Sequence, residues 1–174
     1  IAYEDGYSGY IPASVQDVAS KKYGDCKGMA NLLTELLKLA GYQAHFTWIG
    51  TRRLPYKQSM PALCVNNHAI TVLNFLDATE KYVAFGENAF RIQGKEALIA
   101  KGEKFDVKEV PLTTGKEHKV STRADLTLSN ETLSGKVKVV LTGNERTDFH
   151  QAYQSLPINQ QEEFLNNYLE FGNS

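Results

Sequence analysis

The residues whose types and spacing could do chemistry start at Tyr23-Gly24-Asp25-Cys26-Lys27-Gly28. Asp25 is a good helix N-cap, and a helix-periodic apolar stretch follows it, so Cys26 is expected in the first turn of a helix. Unpaired amides and the helix macrodipole favour negative charge there, which lowers a thiol pKa. Lys27 adds local positive charge. The same amides can hold an oxyanion, so one helix end would activate a nucleophile and stabilise a tetrahedral intermediate. The competing reading makes Cys26 a small buried hydrophobe on the apolar face of that helix.

A thiolate nucleophile needs a base and a group that orients the base. His68 opens an apolar, strand-like run, and Asp77 follows in Leu76-Asp77-Ala78-Thr79. In a hairpin the two would be cross-strand neighbours, with Asp77 fixing the imidazole tautomer. Taken singly, His68 reads as a core histidine bonded to a carbonyl, and Asp77 as a turn or cap residue. Cys64 reads as core or cleft lining; a disulfide with Cys26 is the alternative and would quench the nucleophile. Two cysteines exclude a disulfide-stapled scaffold and a cysteine-based zinc site. His45, His118 and His150 are scattered without metal-ligand spacing. No metal and no cofactor are expected.

These groups need elements to position them. The chain has 174 residues, 42% hydrophobic and 22% charged, with a formal net charge of −1. That balance argues against nucleic-acid binding, which needs a basic excess. No apolar run approaches the ~20 residues of a membrane span. The chain starts at Ile1 without Met and reads as a fragment or processed product.

The segment 1–10 reads as irregular or extended. Ser14, with Asp17 three residues on, starts a short helix that stops near Lys22-Tyr23-Gly24. The clearest helix runs from Cys26 to Ala40, with Cys26, Met29, Ala30, Leu33, Leu36, Leu37 and Ala40 on one face. Leu32 and Leu39 widen that face, so the helix is expected to be central and buried. Gly41 ends it. In Tyr42 to Gly50, Tyr42, Ala44, Phe46 and Trp48 form one strand face. Thr51 to Ala62 is a loop, and Asn67 to Phe75 a second strand. Phe75 to Phe85 reads as a strand before a turn at Gly86-Glu87-Asn88. Glu96 to Ala100 and Phe105 to Val110 are further strands. The sum is an α+β domain with an antiparallel sheet over 1–111. A linker over 112–120 follows. Strands at 121–129 and 136–142, joined across Asn130 to Gly135, and a helical pair then open a second, β-rich domain over 121–174. Asn159 and Glu162, after Pro157, carry a capping-box signature for the last helix.

Tyr23-Gly24-Asp25-Cys26-Lys27-Gly28, Asn67-His68-Ala69-Ile70 and Leu76-Asp77-Ala78-Thr79-Glu80-Lys81-Tyr82 together resemble the transglutaminase-like superfamily. The similarity is to bacterial multidomain members with flanking β-rich domains. Thr51-Arg52-Arg53-Leu54-Pro55 and Gln93-Gly94-Lys95-Glu96-Ala97-Leu98 add to it. The resemblance implies a papain-like core, a helix bearing the cysteine packed on an antiparallel sheet. It implies acyl transfer from a protein or peptide amide through a thioester, as a peptidase or amidase in preference to cross-linking. Cys26 would be nucleophile, His68 base and then acid, and Asp77 the orienting group, with Tyr10 as oxyanion donor. It implies export to the periplasm or cell envelope, and flanking domains in the same polypeptide. The alternative is a silent module that binds peptide or glycan. One departure stands out: Ile70 to Leu76 offers only Asn74 as a turn former. A hairpin pairing His68 with Asp77 would centre on Val72-Leu73, which is poor turn chemistry and points to a mobile loop missing from the sequence between Ile70 and Leu76.

Overall fold

The computed structural model describes residues 1–4 and 9–169. The chain forms two compact units, Ile1–Thr113 and Thr114–Ser174. The expectation of an irregular start falls partly on residues 5–8, outside the described ones. Before them, β1 (Ala2–Tyr3) pairs in parallel with β2 (Tyr23–Gly24).

Between these strands lies α1 (Val15–Lys21). Ser14 caps it, accepting from the Asp17 amide at 3.1 Å. Lys22, at φ 62, closes it in the left-handed region. α2 (Cys26–Leu39) follows β2 directly. It ends in a Schellman motif: Gly41 donates to Lys38 O at 2.9 Å and Tyr42 to Leu37 O at 2.9 Å. Gly41 sits at φ 87, where glycine carries no Cβ penalty.

Four antiparallel strands make the main sheet: β3 (His45–Ile49), β4 (His68–Val72), β5 (Glu96–Lys101) and β6 (Lys104–Glu109), in spatial order β4-β3-β5-β6. α2 packs on it through β4. Thr71 Oγ1 donates to Ala30 O at 2.9 Å and lies 3.0 Å from Thr34 Oγ1, so the contact includes a satisfied polar pair. The neighbouring β4 residue, Ile70, joins Ile49, Ile92, Ile99 and Val110 in the hydrophobic core. β4 is therefore buried on both faces.

The expected burial of α2 needs correction. α2 is not buried throughout: Lys27, Gly28, Ala30, Leu32 and Thr34 are buried, whereas Leu36 is 52% and Leu39 85% exposed. The buried positions of α2 end at Thr34, so its last turns carry apolar side chains that leave the core. In β3 the buried side chains are Thr47 and Ile49, not Phe46 and Trp48. The aromatic face is covered locally instead, Trp48 meeting Phe46 at 5.4 Å and Tyr10 at 5.3 Å.

The second unit holds β7 (Lys119–Ser129), β8 (Thr132–Thr142), α3 (Asn144–Ser155) and α4 (Ile158–Tyr168). The hairpin turn is Asn130-Glu131 alone, both at positive φ, rather than the longer Asn130 to Gly135 connection. Asn159 lies inside α4; Pro157 holds the cap position with φ −57, so the expected capping box is not used. Both units are α+β in content, with antiparallel main ladders.

Candidate active site

The site starts from the Asp25 cap. Asp25 is extended (φ −76, ψ −179), and its Oδ1 accepts from the Gly28 amide at 2.8 Å. Its Oδ2 takes an ion pair from Lys27 Nζ, and both residues are buried. The Lys27 charge, expected beside the thiol, is thus largely spent on Asp25. α1 seats this turn. A Cβ at Gly28 would stand 3.0 Å from Val18 Cγ2, so the glycine permits the close approach of the two helices. Cys26 sits half-buried between the two charged neighbours.

His68 is the first residue of β4 and pairs with Ile49. It is buried, and its Nε2 lies 2.8 Å from Asp77 Oδ2. The Cys26 sulfur feels the charge of the same ring; with Nε2 on Asp77, Nδ1 is the nitrogen left to serve it. The Ala69 amide also favours negative charge on that sulfur.

Asp77 reaches this position by a turn the sequence disguises. Leu73 to Phe75 reverse the chain, with Phe75 at φ 50. Thr71 and Leu76 then exchange backbone bonds at 2.9 and 2.7 Å. This register is shifted from the direct His68–Asp77 pairing, so the two meet on the diagonal. Beyond Leu76 no strand continues over Phe75 to Phe85. Asp77 instead forms an Asx turn, its Oδ1 accepting from the Thr79 amide at 3.1 Å and from Thr79 Oγ1 at 2.7 Å. Its Oδ2 accepts from Arg91 Nε at 3.0 Å and Nη2 at 2.8 Å, besides facing His68. Arg91 also meets Glu80 at 3.1 Å.

Burial penalises each charge here, and the partners overcome it. Burial pushes the Cys26 thiol up, but the His68 ring and the Ala69 amide bring it below its ordinary 9.0. Burial pushes His68 down, yet Asp77 and then Cys26 raise it to about 9. Asp77, pushed up by burial, is brought to about 2 by His68, Arg91 and Thr79. All three shifts favour a thiolate–imidazolium pair backed by a carboxylate.

A cleft of about 560 Å³ opens over Cys26 and His68, lined also by Tyr3, Thr51, Arg52, Arg53, Asn67, Phe90 and Arg91. Asn67 ties its rim to the histidine strand. Its Oδ1 accepts from the Thr51 amide at 2.8 Å and its Nδ2 donates to Thr51 Oγ1 at 3.0 Å. Gly50 precedes this loop, and a Cβ there would collide with the Val65 carbonyl oxygen.

The remaining sequence candidates lie elsewhere. Tyr10 donates its hydroxyl proton to Leu63 O at 2.9 Å, with Asn66 O at 3.3 Å, and does not line the cleft. Cys64 is exposed, not core or cleft lining, and both cysteines are free thiols. His45 lines a separate pocket with Lys38 and Lys101. His118 accepts from the Asn144 amide at 2.9 Å. Among the described residues no group of three His, Cys, Asp or Glu could hold a metal ion. Sequence reasoning missed Arg91 as a partner of Asp77. No local signal marks it, since 14 positions separate the two. Thr79 was legible in principle from the Asp-Ala-Thr turn chemistry. No protein-family model, curated protein or solved structure matches the chain.

Proposed function

We propose that Cys26, His68 and Asp77 carry out thiol-dependent acyl transfer on protein or peptide amides, on a papain-like core of the transglutaminase-like type. The observation that carries this reading is the linked chain of groups: a buried carboxylate on one side of the His68 ring and the Cys26 sulfur on the other. The thiolate attacks the amide carbonyl and a C–S bond forms. The amides of Cys26 and Lys27, at the open end of α2, face the growing oxyanion. His68, protonated, gives its proton to the leaving amine as the C–N bond breaks. A thioester remains. Water or an acceptor amine then attacks it, His68 takes the proton, and the thiolate leaves. Hydrolysis is the preferred outcome.

The test uses the full chain and folded Cys26→Ala and His68→Gln variants on a peptide library read by mass spectrometry. Each variant is expected to lose about 10³-fold or more in turnover. Equal processing by Cys26→Ala and the parent would overturn the reading. So would a parent that binds peptides but never releases a shortened or transferred product.

A further inference from the structure

Three arginines share the cleft with Cys26 and His68, and they are not equivalent. Arg91 is spent on Asp77 and Glu80. Arg52 and Arg53 have no carboxylate partner among the described residues. No described Asp or Glu lines the cleft, and Asp77, its side chain 2% exposed, lies behind the histidine. The thiolate and imidazolium cancel one another. Among the described residues, two arginine charges are therefore left facing the opening.

Their loop is fixed relative to the reacting sulfur. The Arg52 guanidinium stacks over the Phe90 ring at 4.3 Å, and the Arg52 amide donates to Arg91 O at 2.7 Å. Thr51 is pinned to Asn67, next to His68. Lys95 Nζ donates to Leu54 O at 2.7 Å from the other side. A guanidinium held as that of Arg52 binds a carboxylate with less ordering cost than a free one.

We propose that this cleft selects acidic peptides as acyl donors, Arg52 and Arg53 holding a carboxylate near the reacting carbonyl. The proposal rests on the acyl-transfer reading of the same site and names its substrate class. It gives Arg52 and Arg53 a binding role and Arg91 a positioning one.

The experiment alkylates the full chain with iodoacetate and with iodoacetamide, following Cys26 and Cys64 by peptide mass spectrometry. In both reactions a C–S bond forms as C–I breaks and iodide leaves. The reagents differ chiefly in charge. The iodoacetate-to-iodoacetamide rate ratio at Cys26 is expected to exceed that at exposed Cys64 by about tenfold. In Arg52→Gln/Arg53→Gln it should fall to the Cys64 value. A second arm protects Cys26 from iodoacetamide with an acetylated glutamyl peptide or its glutaminyl counterpart; the acidic peptide should protect at lower concentration. Fast iodoacetamide labelling of Cys26 without anion preference, or equal protection by both peptides, overturns the substrate proposal alone. Labelling of Cys26 by iodoacetamide no faster than Cys64 overturns the nucleophile and both readings with it.

Discussion

At the scale of single residues, the proposed acyl transfer assigns pH limits to the Cys26–His68 pair. The state that the proposal requires is the Cys26 thiolate with His68 protonated. That state forms as pH rises through the lowered Cys26 pKa and disappears as pH rises through the His68 value of about 9. A plot of kcat/KM against pH is expected to be bell-shaped with its alkaline limb near that value. Asp77 raises His68, so Asp77→Asn should move the limb to lower pH and cost about 10²–10⁴-fold in kcat. Arg91 lowers His68, so Arg91→Gln should move the limb to higher pH. A common direction for the two variants would refute that assignment, because a merely structural loss has no reason to give opposite signs. That Cys26, His68 and Asp77 lie together was readable from sequence, since residue type, order and the expected elements constrain them. Arg91, Asn67 and the Arg52–Arg53 pair were not readable as parts of one cleft. Their roles come from long-range packing, with no periodicity to announce it.

At the scale of elements, the N-terminal turn of α2 holds Cys26, and Asp25 and Lys27 hold that turn. Asp25 serves twice, capping Gly28 and pairing with a buried ammonium. Asp25→Ala removes a cap and strands a buried charge, a combined loss on the order of 3–5 kcal/mol in urea unfolding. Asp25→Asn/Lys27→Met keeps an amide oxygen for the cap and removes both charges. It should recover most of that loss. If the double variant is as unstable as Asp25→Ala, the stranded charge is not the cause. The helix ends were legible because capping is local chemistry: Ser14, Asp25 and Gly41 act where their types suggest. Burial was less legible. Alternation in β3 identified a face but not which face meets the core, because Tyr10 covers Trp48 from far away in sequence and Trp48 in turn packs on Phe46. The turn after β4 was misread because Phe75 adopts a left-handed conformation that its type disfavours.

At the scale of the whole molecule, the two units differ in how they are stabilised. The core of the first unit comprises Ile49, Ile70, Ala89, Ile92, Ala97, Ile99 and Val110, and every cleft residue lies in the same unit. In the second unit no described residue of β7, β8, α3 or α4 is buried. Its ribbon is long, yet its pairs sort by face. Val120 opposes Leu141 and Leu128 opposes Leu133 on one side, whereas Arg123 opposes Lys138 and Asp125 opposes Lys136 on the other. Phe149, Tyr153, Phe164 and Tyr168 cluster between its two helices without becoming buried. A two-stranded ribbon without a sealed core opens locally at low cost. Amide exchange in the full chain should therefore run at least about 10²-fold faster in β7 and β8 than in β3 and β4, despite intact ladders in both. A chain ending at Thr113 should keep the selective reaction of Cys26 with iodoacetamide, because every group that lowers the thiol pKa is retained. Equal protection of both sheets would mean that the ribbon is sealed more tightly than its exposure indicates. Loss of selective labelling on truncation would mean that the first unit needs the second to hold the nucleophile's environment.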